Sequence, residues 1–539
     1  MDAPKKPGPT QPEGDDRRSP PSDVPLPETP PTSKGDGSHK AVADSRILVE
    51  MMSFLDPDGI PEDMFIGGIE GPTASGWQYW DAHRFNEALV ILQERRAVDR
   101  VITASGPKLR IPRVSQLRTL HLLHQDPKHR NFVFRDVVAM TRRAFPVPDI
   151  VKRDNRDNLP RYKKYISQVI ATHAAFVKSR PKLEADFNFL TILRDAALFC
   201  VDDGYNMDGA PLAETGMVIG MVLVEKDYES VFFVLLDCIS SLGNFSEWLG
   251  IEGRRRSYRL MSDAFSMLEK HLRLGESLRP LDNWTQLEKM QYGRAWHERG
   301  VKAIHFDWME EADEALGKAL YYYRLVGDQH SVKAQIANVI SFQGLIEATR
   351  GPGNRAVALI NDSLGRMEAA LGTDSPWYVQ AKNSEAMIAF TIGDLQQAAT
   401  LYEDLSEVRI RTDGRSGHDT LSCQYMMAVC YHNLGDLVIA EGILREVINN
   451  SRIDLQWRAE DLARAKFRLS LVLGALNRRQ EAVDLRNEAL TAHKEWEIPL
   501  SALPGVDRKY TDKEYMKLFD DGVVLYHGRT TGIWSAVLW

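Results

Sequence analysis

The sequence predicts a mainly α protein whose second half is a superhelical solenoid. Two observations carry that expectation. From residue 290 onward, a pattern of small residue, turn residue and alanine returns five times at near-constant spacing. Elsewhere apolar residues recur three and four apart, the period of a helix with one buried face. Two short runs, 97–102 and 108–111, read as strands instead.

Residues 1–43 hold ten of the 26 prolines and almost no large apolar side chains. Such a stretch cannot bury enough surface to offset the entropy of ordering it, so a disordered Pro-rich tail is expected there. A first domain is expected over 44–147. Its first helix starts near Asp44, with Asp44 or Ser45 as the cap, and Ile47, Leu48, Met51 and Met52 form its stripe. The segment SFLDPDGIPEDMF (53–65) stops it. Pro57 disfavours helical geometry at Asp56, and Gly59 gives the turn its freedom. Pro61-Glu62-Asp63 then reads as the first turn of a second helix, with acidic residues at the positive end of its dipole. A third helix carries Phe85, Ala88, Leu89 and Leu92. The two strands follow, joined by Ser105-Gly106-Pro107, and a further helix runs from about Val114 to His124. Residues 148–288 form an all-α connector with helical stripes near 162–176, 187–200, 212–224, 230–242 and 258–274.

The repeats fill 289–495. Five segments align on Asp307, Gly351, Gly393, Gly435 and Asn477, spaced 44, 42, 42 and 42 apart. Seven residues before each stand Gly300, Gly344, Ala386, Ala428 and Ser470. Five residues after each stands alanine, at 312, 356, 398, 440 and 482. Two antiparallel helices approach closely only where the facing positions lack bulk. Glycine or asparagine at the turn accepts the left-handed conformation of a helix end. Four residues past each alanine come Leu316, Ile360, Tyr402, Leu444 and, off pattern, Arg486, all expected to face the next helix pair. The extension 496–539, with Trp534 and Trp539, is expected to cap the last repeat.

This pattern resembles the tetratricopeptide repeat (TPR). The 42-residue period and Gly417-His418-Asp419-Thr420-Leu421 resemble the long repeats of kinesin light chains and of fungal NLR-like proteins. SFLDPDGIPEDMF in turn resembles the start of the winged-helix domain that follows NB-ARC or NACHT-type ATPase domains in the NLR-like proteins. The resemblance spans 44–492 and implies a winged-helix-like domain, an all-α connector and a TPR superhelical solenoid. It departs at the nucleotide site. No Gly-Lys-Ser or Gly-Lys-Thr occurs, so the phosphate cradle is lacking. Pro112 stands where the family commonly places a histidine near the nucleotide. Neither nucleotide nor any other cofactor is therefore expected.

The formal charge of −8 gives no basic footprint for nucleic acid. Arg110, Arg113 and Arg118, with His121 and His124, leave a DNA-associated regulator as an alternative reading. His121, His124 and His129 lack the cysteines or carboxylates of a metal centre. Cys200, Cys238, Cys423 and Cys430 lack CxxC spacing and read as packing residues. Arg254-Arg255-Arg256-Ser257 resembles a basophilic kinase site, expected to be exposed. The apolar runs 217–224 and 231–236 fall short of the roughly 20 residues a membrane helix requires. With no secretory leader visible, the expected location is the cytoplasm, with the nucleus open.

No nucleophile elbow, HExxH or dinucleotide fingerprint occurs. The expected function is a non-catalytic scaffold or adaptor whose TPR groove takes a protein or peptide ligand. Three residues before each small position stand His297, Ser341, Asn383, Tyr425 and Phe467. Six before it stand Arg294, Asn338, Gln380, Ser422 and Arg464. This mixture suits an extended or helical peptide, with donors for its backbone and an aromatic anchor. The other alternative is a portion of a longer signalling ATPase encoded upstream.

Overall fold

The computed structural model describes residues 36–66, 82–148, 156–180, 182–203, 206–326, 332–351, 353–451, 457–494, 511–520, 523–525 and 528–530. Two compact units divide the chain: Met1–Ala144 with Ala174–Glu184, and Phe145–His173 with Ala185–Trp539.

In the first unit the elements run α1 (Asp36–Met52), β1 (Ile60–Pro61), α2 (Ala82–Glu94), β2 (Asp99–Thr103), β3 (Gly106–Arg110), α3 (Arg113–Gln125) and α4 (Pro127–Ala144). The strands form an antiparallel sheet in the order β1-β3-β2, with Leu109 paired to both Ile60 and Arg100. Leu48, Met51 and Met52 of the α1 stripe and the apolar face of α2 are buried, Ile47 half-buried, and the Phe54 ring packs 5.7 Å from that of Phe134 on α4. Three expectations need correction. Helix α1 begins at Asp36, ahead of Asp44, and Asp44 lies inside it as a buried acceptor for the Arg84 guanidinium (Nη2 to Oδ1 2.6 Å). Pro61-Glu62-Asp63 does not open a long helix directly. Pro61 ends a two-residue strand held by β3, and Glu62–Met64 form one 3-10 turn. Helix α4 was absent from the expected set, although Asp126 caps its first free amides, accepting from Lys128 N and His129 N at 3.1 Å.

The turn at SFLDPDGIPEDMF is tied from both sides. Gln116 on α3 donates to the carbonyls of Ser53 and Leu55, at 3.1 and 2.8 Å, which are free because α1 has ended. The Ile111 amide donates to Pro57 O at 3.0 Å.

The second unit holds α5 (Leu159–Lys178) as far as His173, then α6 (Phe187–Asp203), α7 (Asn206–Leu223), α8 (Tyr228–Ser246) and α9 (Gly250–Leu272). Five helix pairs follow: α10 (Gln286–His305) with α11 (Met309–Arg324), α12 (Lys333–Arg350) with α13 (Asn354–Leu371), and α14 (Pro376–Thr391) with α15 (Leu395–Asp413). The last two are α16 (His418–Leu434) with α17 (Leu437–Asn450), and α18 (Ala459–Ala475) with α19 (Arg479–Lys494). A short helix, α20 (Asp512–Asp520), comes last among the described residues.

The repeat positions meet as close packing demands. A methyl group built on Gly300 would lie 2.7 Å from Leu316 Cγ and 3.2 Å from the Ala312 carbonyl oxygen, so the small residue of the first helix rests on the alanine turn of the second. Ala312, Ala356, Ala398 and Ala440 are buried throughout. Asp307, Gly393, Gly435 and Asn477 adopt positive φ, from 60° to 92°. Gly351 departs, with an extended φ of 169°; the spacing of 44 belongs to this repeat.

Candidate functional site

The ten groove candidates fall into three groups along the first helices of the repeats. The first group is internal. Arg294 on α10 donates to Asp237 on α8 at 2.8 Å, and Arg194 on α6 reaches the same carboxylate at 3.0 Å. Burial opposes both guanidinium charges, but Asp237 outweighs it and holds them above their ordinary pKa. His297 is buried with its ring edge-on to Tyr323 and Phe342, at 6.3 and 5.9 Å. Ser341 is buried and Asn338 half-buried on α12. Arg294 thus ties the first repeat to the connector, and His297 packs between the first and second repeats.

The second group forms a narrow cleft between the third and fourth repeats. Gln380 and Asn383 on α14 face Ser422 and Cys423 on α16, with Arg409 of α15 and Asp419 closing one side. Arg409 binds Asp419 at 3.0 Å and Asp413 at 3.4 Å. The Gln380 amide nitrogen is buried without a hydrogen-bond partner. The cleft has room for about one water, too little for a drug-sized molecule and matched in size to a single carbonyl oxygen.

The third group is already occupied. Phe467 on α18 packs against Phe519 and Tyr515 of α20, with ring centroids 5.0 and 5.7 Å apart. Arg464, one turn earlier, lies over the Tyr425 ring at 4.1 Å and donates to Asp520 Oδ1 at 2.7 Å and to the Gly528 carbonyl. Both members of that pair are almost fully buried, at 4 % and 0 % exposure. Burial works against the Arg464 charge and the adjacent Asp520 carboxylate overrides it, keeping the guanidinium above its ordinary pKa. The second Asp520 oxygen takes the amide and hydroxyl of Thr530, at 2.9 and 2.7 Å. Arg529 then binds Asp307 and the carbonyls of Ile304 and His305, where α10 ends and its dipole is negative. The described residues Asp520, Gly528, Arg529 and Thr530 thus bridge the last repeats to the first. Sequence reasoning assigned this segment no groove role; the unexplained Arg486 and the Phe519-Asp520 pair were the available signals. Trp534 and Trp539 lie outside the described residues.

Several other candidates have structural partners. Arg113 pairs with Asp58 at 2.8 Å and Arg110 donates to Asp58 O at 3.0 Å. His129 bonds Glu50 at 2.8 Å. No cluster able to hold a metal occurs among the described residues. Ser257 is not exposed. It sits fully buried inside α9, with Arg254 buried beside it and bonded to His305 O at 3.2 Å. All four cysteines are buried and free, and burial pushes the Cys423 and Cys430 thiols up to about 12. No described helix is long and apolar enough to cross a membrane.

Helix pairs with a small-residue seam, left-handed turns and a repeat of about 42 residues define a tetratricopeptide-like solenoid. No protein-family model matches the chain, and no curated protein does. Among solved structures it is similar to a Podosopora anserina putative kinesin light chain with nearly identical TPR-like repeats (19% identity, TM-score 0.31, covering 38% of this chain and 97% of that one). It is also similar to BtubC (BKLC) from P. vanneervenii (15% identity, TM-score 0.27, covering 57% and 96%). A third likeness is to the apo form of the quorum sensor NprR from B. thuringiensis (12% identity, TM-score 0.35, covering 63% and 99%).

Proposed function

We propose that the chain is a non-catalytic interaction scaffold whose solenoid binds a peptide along the first helices of repeats three to five. The observation that carries this reading is that Arg464 and Phe467, at the expected groove positions, already hold a chain segment through an aromatic contact and a charge-assisted hydrogen bond. Beside them the Gln380–Asn383–Ser422 cleft offers an unspent donor to a peptide carbonyl. We also infer kinship with NLR-like signalling proteins, from the order of modules and from SFLDPDGIPEDMF. A winged-helix-like reading of the first unit is supported by its β1-β3-β2 sheet, with the β2–β3 hairpin as the wing.

The test is peptide selection on the intact protein, followed by fluorescence anisotropy on wild type and on Gln380→Ala with Asn383→Ala. Losing one or two peptide hydrogen bonds should weaken the selected peptides about tenfold. Peptides that bind the double variant as tightly as wild type would overturn the groove assignment.

A further inference from the structure

We infer that the outward face of α7 is a second docking surface, separate from the groove. Its partner is an amphipathic helix of another protein with Lys or Arg side chains clustered at one end. The inference goes beyond the peptide reading and uses none of the groove residues. It starts from composition. Among its 18 residues α7 carries two charged side chains, Asp208 and Glu214, and no base. A helix that is apolar on nearly every side belongs in an interior, with neighbours all round. Here one side stays open to solvent.

The packing of α7 fixes which side that is. Gly209, Gly216 and Gly220 lie against α6 and α8. A Cβ on Gly216 would sit 2.7 Å from Cys238 Sγ, one on Gly220 2.9 Å from Leu235 Cδ1, and one on Gly209 2.6 Å from Cys200 Cβ. Approaches this close leave α7 no freedom to roll. On the opposite side Met207, Pro211, Val218, Met221 and Val222 recur at spacings of three, four and seven, which makes one stripe. It runs for about four turns, or about 22 Å. Pro211 is exposed, and the other four are between 51 % and 69 % exposed. Elsewhere the solenoid keeps such positions polar: α15, the second helix of its pair, exposes only polar and charged side chains. Arg194, Asp237 and Arg294 join α6, α8 and α10 on one side of the array. That leaves α7 in the layer of the second helices, away from the groove.

Charge decides the partner. Glu225, Asp227 and Glu229 stand exposed where α7 ends, with Lys226 the one base among them. Midway along the stripe, Arg256 of α9 already holds Glu214 at 2.7 Å, so the apolar stretch itself is nearly neutral and its end is acidic. A second copy on the same stripe, parallel or antiparallel, would set the carboxylates of Asp208 and Glu225 against their own kind, with no base on α7 to offset them. An anionic bilayer would meet the same repulsion. A helix with an apolar face and a basic end fits both the stripe and its charge. Met207 and Met221, flexible and unbranched, let the stripe adapt to that face.

The test pans a phage-displayed library of helical peptides of about 20 residues against the full-length protein. One peptide face is randomised among apolar residues and both ends among Lys, Glu and Gln. Counter-selection uses Val218→Gln with Met221→Gln, two exposed positions whose replacement leaves the core untouched, with circular dichroism checking the fold. Selected peptides should carry Lys at one end. Fluorescein-labelled copies should bind about tenfold or more weakly to that variant, and likewise to Glu225→Lys with Glu229→Lys. They should bind Gln380→Ala with Asn383→Ala as tightly as wild type. A copy with its lysines changed to glutamate should prefer the Glu225→Lys, Glu229→Lys protein to wild type. No enrichment over the counter-selected variant overturns the inference, as do selected peptides without a basic end. Light scattering that shows a wild-type dimer dissolved by Val218→Gln with Met221→Gln would give the face to a second copy and overturn it. Stripe-dependent sedimentation with phosphatidylserine vesicles would overturn it in favour of a membrane. Stripe and groove variants are read separately, so failure here leaves the groove reading standing.

Discussion

Gly317→Ala and Gly300→Ala place the same methyl group on two adjacent helices and should move stability in opposite directions. Glycine in a helix interior costs about 1 kcal/mol relative to alanine. Gly317 is exposed in the middle of α11, with open space where a Cβ would lie, so Gly317→Ala should stabilise the repeat by about 1 kcal/mol. At Gly300 the added carbon would sit 2.7 and 2.8 Å from Leu316 Cγ and Cδ2, and 3.2 Å from the Ala312 carbonyl. Leu316 is fully buried and the carbonyl is backbone, so relief requires the two helices to separate. Overpacking of this kind costs about 1–3 kcal/mol, which leaves Gly300→Ala between neutral and about 2 kcal/mol destabilised. Helix propensity cancels in the difference between the two variants. What remains is the contact itself, about 1–3 kcal/mol. A repeat array does not unfold in one step, so the readout is native-state hydrogen exchange of the α10 and α11 amides. If Gly300→Ala protects those amides as well as Gly317→Ala does, the small-residue seam is not a close contact and the account of the repeat fails.

Three further outcomes follow from burial. Burial, reinforced by Arg468, pushes the His432 imidazole down to about 4 from an ordinary 6.5. The unfolded chain binds that proton more readily, so its contribution to stability is lost as pH falls from about 6.5 through about 4. His432→Gln should flatten that part of a series of urea midpoints against pH; an unchanged slope would exclude His432 as the group responsible. Ellman's reagent at pH 8 should label none of the four buried cysteines in the native protein and all of them in guanidinium, and fast labelling of Cys423 or Cys430 would contradict the packing described. A basophilic kinase should leave Ser257 unmodified in folded protein and modify it after denaturation; mass spectrometry on native protein showing phosphate there would mean that α9 opens.

The solenoid was legible because one steric requirement repeats. Close helix approach forces a small residue, a left-handed turn and an alanine into one register, and five occurrences separate that register from chance. The elements of the first unit were less legible where a tertiary partner overrides a local signal. Asp44 has the composition of a helix cap, but Arg84, forty residues away, draws its carboxylate into the interior while the helix continues past it. Pro61 has the composition of a helix start, but the exposed edge of β3 captures it first. Ser257 follows three arginines and looks solvated, yet helical periodicity turns it and Arg254 inward between them.

The groove was legible by position and not by occupancy, and Arg486 shows why. Every other repeat places an apolar or aromatic residue there, and Leu316, Ile360, Tyr402 and Leu444 are all fully or nearly fully buried. After the fifth repeat no helix pair follows among the described residues, and the position answers to α20 instead. The Arg486 guanidinium lies 5.2 Å from the Phe467 ring centroid and 5.1 Å from that of Tyr515, and it binds Asp512 at 2.6 Å. A break in a repeat pattern thus marks the place where a different kind of neighbour takes over. Arg486 grips the start of the short helix as Arg464 grips its end, so one cation on each side of Phe467 selects an acidic, aromatic segment over the apolar helix face that the earlier repeats receive.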